Sequence, residues 1–414
     1  MEITIKQKFY DTCALLAEVD NVQLFDEFFI ISSTTLHELE HIKVSRNKDE
    51  ETRYKARKLT RLLDDNYGKY HTVIFNNDIA DYITLTLNLD YAIPDNQIIG
   101  CACKYKDDNH ADMLFVTNDI CLKNIARSVG LETTSVEQKK LSYKGYVEKI
   151  LNEADMAYFY EHLQENIYGL NVNEYIIIKN EIGEVVDKLK WSGETYETVR
   201  SKPFKSNMFG SLKPLDEVQA FAMDSINTND ITVLYGKAGS GKTTLPLNYI
   251  MQNIEKGKIS KCYIVYSFEP LKGAKTLGYE KGDHIQKLIY SAAIGNILAS
   301  KFGSLDQVEY MINQGTIDII PTANIRGVEF ASDTCVLVTE AQNLDTYTLK
   351  TIIQRCKTGC KQIYEGDIIE QKDTNIQDIG LNRMIEVFKG HESFGCVKLK
   401  NCYRSPLSDI ADKM

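Results

Sequence analysis

The eight residues Gly236-Lys237-Ala238-Gly239-Ser240-Gly241-Lys242-Thr243 form a complete P-loop. The apolar run Ile231 to Tyr235 precedes it and the helix-compatible stretch Thr244 to Asn253 follows. Phosphate chemistry accounts for this spacing: backbone N–H groups of a glycine-rich loop, aimed at one centre at a helix N-terminus, hold phosphate oxygens. In such a loop Lys242 reaches the terminal phosphates, Thr243 ligates Mg²⁺, and Thr244 leads into the helix behind them. Further along, the apolar run Cys335-Val336-Leu337-Val338 ends in Thr339-Glu340-Ala341-Gln342-Asn343. A carboxylate at that strand end orients a water for attack on the γ-phosphate, the role expected of Glu340.

A second group of residues is acidic. Apolar runs lead into Phe9-Tyr10-Asp11-Thr12, Leu36-His37-Glu38-Leu39-Glu40, Ile93-Pro94-Asp95-Asn96 and Phe115-Val116-Thr117-Asn118-Asp119. At strand ends or first helical turns, such carboxylates converge on the carboxyl edge of a parallel sheet, the usual ligand crevice. Carboxylates sharing a small volume repel, and divalent cations relieve the repulsion. Two metals held there would activate a water and stabilise the leaving oxygen of a phosphodiester. Taken singly, Asp11 and Asp119 also read as helix N-caps and Glu38 as a surface residue.

In their order, Asp11-Thr12, Glu38-Leu39, Asp95 and Thr117-Asn118-Asp119 resemble the pattern of PIN-domain nucleases over roughly the first 135 residues. The resemblance implies that Asp11, Glu38, Asp95 and Asp119 ligate Mg²⁺ or Mn²⁺ in RNA hydrolysis, with Asn118 in support. Pro94-Asp95 stands where that pattern usually has Asn-Asp.

Upstream of the P-loop, Leu212-Lys213-Pro214-Leu215-Asp216-Glu217-Val218-Gln219 resembles the adenine-reading glutamine motif of helicase-like ATPases. A glutamine amide carries the donor and acceptor that pair with adenine N6 and N7. With Ile325-Arg326-Gly327, Glu365-Gly366-Asp367, Gln371 and Tyr403-Arg404-Ser405-Pro406, the chain from about Leu212 onward resembles the PhoH family, whose core is related to superfamily 1 helicases. That resemblance implies ATP as cofactor, Gln371 as sensor of the γ-phosphate, and Arg404 as positive charge toward it, donated across a subunit boundary in a homo-oligomeric ring. Two departures stand out. Thr339-Glu340 replaces the family's usual Asp-Glu, which predicts weaker Mg²⁺ retention and slower turnover, and Gln371 lies one residue farther from Gly366-Asp367 than is common.

The elements that must position these residues read as α/β throughout. A PIN-like three-layer α/β/α domain is expected over 1–135 and a RecA/helicase-like P-loop NTPase domain of the PhoH type over 208–414. Between them, 136–207 reads as a helical connector followed by a small β-rich linker. Leu141, Tyr146, Ile150, Leu151 and Met156 recur at broadly helical spacing, whereas Tyr175 to Ile178 and Glu184 to Trp191 flank a turn at Asn180-Glu181-Ile182-Gly183. Arg200, Lys202, Lys205 and Lys213 among Pro203, Gly210 and Ser211 read as a linker.

Composition sets the outer limits. The 414 residues, 43% of them hydrophobic, suffice for more than one core. A formal charge of -10 excludes a surface coated for nucleic acid while leaving room for a local basic channel. No window offers the roughly 20 uncharged apolar residues of a membrane span and no signal peptide is visible, so no membrane association and a cytoplasmic location are expected. Ten cysteines are scattered, and neither Cys101 with Cys103 nor Cys356 with Cys360 has zinc-site spacing. These readings combine into an ATP-dependent RNA-processing enzyme, a helicase-like motor on single-stranded RNA joined to a metal-dependent endoribonuclease. Two others compete: an ATP-switched RNA-binding module without nuclease activity, and an ATPase acting on a protein partner.

Overall fold

The computed structural model describes residues 6–19, 23–45, 48, 50–136, 142–199, 202–266, 298–300, 302–367 and 380–403. The chain divides into two compact units, Met1–Lys140 and Leu141–Met414. Among the described residues no helix is long and apolar enough to cross a membrane.

In the first unit, strands β1 (Gln7–Tyr10), β2 (Phe29–Ser32), β3 (Tyr70–Val73), β4 (Met113–Val116) and β5 (Glu132–Thr134) form one sheet in the order β3-β2-β1-β4-β5. Every pairing is parallel. Parallel neighbours require crossovers, which are supplied by α1 (Thr12–Ala17), α2 (Ser33–Val44), α3 (Glu50–Asp65), α4 (Asn77–Leu85), α5 (Pro94–Asn109) and α6 (Ile120–Ser128). Strand alternation splits the core into two layers. Phe9, Ile30 and Phe115 pack on one face with α4, α5 and α6, while Tyr10, Phe29, Ile31 and Val116 pack on the other with α1, α2 and α3.

The second unit is built on six parallel strands: β12 (Ile231–Gly236), β13 (Lys261–Tyr266), β14 (Ile317–Pro321), β15 (Thr334–Val338), β16 (Lys361–Gly366) and β17 (Phe394–Leu399). Their order is β14-β13-β15-β16-β12-β17, so the P-loop strand β12 lies between β16 and β17. Strands buried on both faces read as continuous apolar runs, as Thr334-Cys335-Val336-Leu337-Val338 does. The second unit's helices include α8 (Glu217–Thr228), α9 (Thr244–Glu255), α10 (Leu305–Asn313), α11 (Thr346–Gln354) and α12 (Gly380–Phe388), which follow α7 (Glu153–Glu161) of the middle segment.

Two parts of the middle segment differ from the sequence reading. Tyr146–Ile150 is strand β6, not helix, and pairs in parallel with β7 (Tyr175–Lys179); α7 (Glu153–Glu161) follows it. The apolar spacing fits either period over so few residues; pairing with β7 decides between them, and the entry residue is Gly145. Its φ is +78°, and a Cβ there would lie 1.6 Å from the Cys396 carbonyl oxygen, so the chain enters β6 pressed against β17. With β8 (Val185–Trp191) and β9 (Tyr196–Thr198) these strands form the sheet β6-β7-β8-β9, whose β7–β8 pair is the expected hairpin.

One face of this small sheet covers the main core. Tyr175 stacks on Phe221 of α8 with centroids 4.5 Å apart, and the Tyr175 hydroxyl donates to Asp224. Full burial of such an aromatic side chain contributes about 1.5–3 kcal/mol. The basic stretch read as a linker also has structure: β10 (Phe204–Ser206) and β11 (Gly210–Leu212) form an antiparallel hairpin. Gln252 and Glu255 of α9 fix it by accepting from Lys205 N at 2.7 Å and from the Ser206 hydroxyl at 2.8 Å.

Candidate functional site

The P-loop emerges from β12 with Gly236 at φ +145° and Gly241 at φ +100°. Both conformations favour glycine, and at Gly236 a Cβ would stand 2.4 Å from the Leu399 carbonyl oxygen. Thr243 is the N-cap of α9, so the first N–H groups of that helix face the loop. Lys242 Nζ donates to the carbonyls of Gly236 and Lys237, which holds its charge over the loop. The Ser240 hydroxyl is buried without a protein partner. Loop shape, cation and orphaned hydroxyl together fit a nucleotide's phosphates.

Gln219 lies against this loop. Its Nε2 donates to the Ser240 carbonyl at 3.0 Å and its Oε1 accepts from Leu215 N at 2.9 Å, so the amide braces the P-loop with both ends. Asp216, N-cap of α8, accepts from Asn401 and from the Tyr403 hydroxyl, while Tyr403 N donates to the Gly239 carbonyl at 2.9 Å. The run that begins at Tyr403 therefore starts beside the P-loop. Arg404 and Gln371 lie outside the described residues. Arg326 donates to the Tyr347 hydroxyl at 3.0 Å, with its guanidinium over that ring.

At the end of β15, Thr339 is buried and Glu340 is exposed with φ 51° and ψ 41°. A left-handed glutamate is a strained backbone state of the kind held at functional sites. Gln342 fixes it: Nε2 donates to Glu340 Oε2 at 2.6 Å, and Oε1 accepts from Asp367 N at 3.0 Å, tying the ends of β15 and β16 together.

The sequence reading assigned no role to Gln342 or to Glu365. Glu365, 5% exposed, accepts from the Thr243 hydroxyl at 3.0 Å. Burial raises its carboxyl to about 8, Glu340 adds repulsion, and the Thr243 hydrogen bond and Lys242 act in the opposite direction. Its only sequence signal was its place in Glu365-Gly366-Asp367, since its closeness to Thr243 depends on β16 pairing with β12.

In the first unit the four acidic positions occupy the carboxyl edge of the sheet. Asp11 caps α1, with Oδ1 accepting from Ala14 N at 2.6 Å and Oδ2 from the Thr117 hydroxyl at 2.5 Å. Asp119 caps α6 by accepting from Leu122 N at 2.9 Å. Glu38, half-buried on α2, accepts from the Thr12 hydroxyl, and Asp95 sits in the exposed first turn of α5 behind Pro94. Asn118 accepts from Val136 N and so fixes the chain after β5. The capping interpretation of Asp11 and Asp119 thus holds.

Repulsion links the four in pairs: Asp11 with Asp119 and Asp95, and Glu38 with Asp95. Burial raises Asp11 to about 6; the Thr117 and Ala14 hydrogen bonds oppose that, and Asp119 and Asp95 repel it upward. Glu38 is raised by burial, opposed by Thr12, and repelled by Asp95, while Lys48 lowers it. Burial raises Asp95 too, with further repulsion from Asp119. Among the described residues no three His, Cys, Asp or Glu side chains are gathered closely enough to enclose an ion as they stand. The donor set, carboxylate oxygens at one sheet edge with Asp11 buried and Glu38 half-buried, has the hard-oxygen chemistry that suits a divalent cation.

The class defined by these two units is a nuclease-like module joined to a P-loop ATPase module. Residues 9–137 match the model of the PIN domain and residues 211–413 that of the PhoH-like protein; the chain is a PIN–PhoH fusion. Protein PhoH2 of Bacillus subtilis (strain 168) is 24% identical over 97% of this chain and 98% of its own length. Protein PhoH2 of Thermobispora bispora is 23% identical over 98% of this chain and 95% of its own. The structure of VapBC2 from Rickettsia felis, bound to a promoter DNA fragment, is similar with 19% identity over 31% of this chain and 97% of that one, at a TM-score of 0.22.

Proposed function

We propose that the chain couples ATP hydrolysis at the P-loop to movement or remodelling of single-stranded RNA, and cuts that RNA at the Asp11 carboxylate group. The observation that carries this reading is the placement of Asp11, Glu38, Asp95 and Asp119 at the carboxyl edge of one parallel sheet, in a chain that also carries a complete P-loop. Lys242 draws the terminal phosphates, Gln219 meets adenine by exchanging its backbone partners for the base, and Glu340 orients the attacking water. Gln371 senses the γ-phosphate, and Arg404 acts across a subunit boundary in a homo-oligomeric ring. Divalent cations, held by Thr243 at the P-loop and by the four carboxylates in the first unit, supply positive charge to phosphate oxygens when bound.

Thr339 favours a second reading, an ATP switch with little turnover, because a hydroxyl carries no charge toward a cation. Labelled single-stranded RNA incubated with Mn²⁺ and ATP separates the two. Cutting that survives Lys242→Ala and disappears in Asp11→Asn supports two independent sites; ATP hydrolysis with RNA left intact would remove the nuclease from the account.

A further inference from the structure

Thr339 places an uncharged side chain at the end of β15, and the adjacent strand brings a buried carboxyl group to the same P-loop from another direction. β16 lies between β15 and β12, and Glu365 is in register with Leu234, two residues before the P-loop's first glycine. Its Oε1 accepts from the Thr243 hydroxyl at 3.0 Å, while Oε2 is buried without a protein partner. A hydroxyl has one proton and two acceptor lone pairs, so donation to Glu365 leaves the Thr243 lone pairs for a cation. A buried carboxylate oxygen with no partner destabilises the fold unless a ligand meets it. The Gln342 bridge from Glu340 to Asp367 fixes the β15 and β16 ends, and with them the separation of Glu340 from Glu365.

We propose that Glu365 is the positioning residue for the nucleotide-bound Mg²⁺, supplying from β16 the carboxylate that Thr339 does not supply from β15. It acts through the Thr243 hydroxyl, which it orients, and through a cation-bound water accepted by Oε2. Glu340 keeps the separate task of orienting the attacking water. The inference rests on the reading of this loop as an ATP–Mg²⁺ site. A role confined to bracing Thr243 would need only Oε1 and would leave Oε2 with no function.

The test titrates the full chain with a fluorescent non-hydrolysable ATP analogue in Mg²⁺ and in EDTA, for the wild type, Glu365→Gln, and Glu365→Gln combined with Thr339→Asp. In the wild type Mg²⁺ should tighten binding about tenfold or more. Glu365→Gln should lose most of that gain while its affinity in EDTA changes by less than about twofold, and adding Thr339→Asp should restore the gain. With Mn²⁺ in place of Mg²⁺, electron paramagnetic resonance should show the metal leaving the bound nucleotide in the single variant and returning in the double. An unchanged Mg²⁺ gain in Glu365→Gln overturns the inference, as does equal weakening in Mg²⁺ and EDTA, which marks a purely structural role. Wild-type binding that ignores Mg²⁺ overturns the ATP–Mg²⁺ reading of the loop itself, and this inference with it.

Discussion

Replacing Asp11 with asparagine should stabilise the first unit at neutral pH in EDTA even as it removes cutting. Asp11 is 2% exposed, and its carboxyl is raised from 3.8 to about 6, mainly by burial. That rise is equivalent to ~3 kcal/mol, because the folded chain holds the proton more tightly than the unfolded one. The sign follows: a raised pKa contributes stability that is complete below about pH 4 and is lost as pH climbs through about 6. Asparagine keeps an acceptor for Ala14 N but turns an N–H toward the Thr117 hydroxyl, at a cost of about 1 kcal/mol. A net gain of ~2 kcal/mol is therefore expected at pH 7.5, and a gain of only ~0.5 kcal/mol at about pH 5, where roughly half of the ionisation penalty remains. The chain's one tryptophan, Trp191, lies in the second unit and does not report on this one, so the assay is amide hydrogen exchange over β1 and α1 at both pH values. The same stability change at pH 5 and pH 7.5, or a loss that grows with pH, would refute the reasoning.

Three further substitutions probe the second unit. Glu340→Gln should keep nucleotide affinity and lower ATP turnover by about 100-fold, read by phosphate release. Gln219→Ala removes the brace from Ser240 and Leu215 and should weaken ATP binding about tenfold by calorimetry, with ~1–2 kcal/mol lost in stability. Gly145→Ala forces a Cβ against the Cys396 carbonyl at φ +78° and should cost at least ~2 kcal/mol, followed by Trp191 fluorescence in a urea titration.

What the sequence disclosed divides along a physical line. Phosphate binding by a loop needs contiguous backbone, so Gly236 to Thr243 was legible, as were the apolar strand before it and the helix after it. Carboxylates at strand ends were legible because parallel sheets gather them at one edge; Asp11 and Asp119 follow that rule, while Glu38 and Asp95 stand on α2 and α5. Short segments with mixed signals were not legible. Tyr146–Ile150 fits either period, and its strand state comes from pairing with Tyr175–Lys179. Likewise Phe204–Ser206 and Gly210–Leu212 take order from Gln252 and Glu255, far along the chain. Glu365 shows the limit most plainly: its place in Glu365-Gly366-Asp367 does not tell that it meets Thr243, and only the β16–β12 pairing brings it there.

The central claim is that this chain cuts RNA at the Asp11 group. The direct measurement follows end-labelled single-stranded RNA on a denaturing gel, with the purified chain, Mn²⁺ and ATP, comparing the wild type with Asp11→Asn. The account predicts shorter products with the wild type and full-length RNA with Asp11→Asn at equal ATP turnover. Full-length RNA with both proteins, or the same products from both, would contradict it.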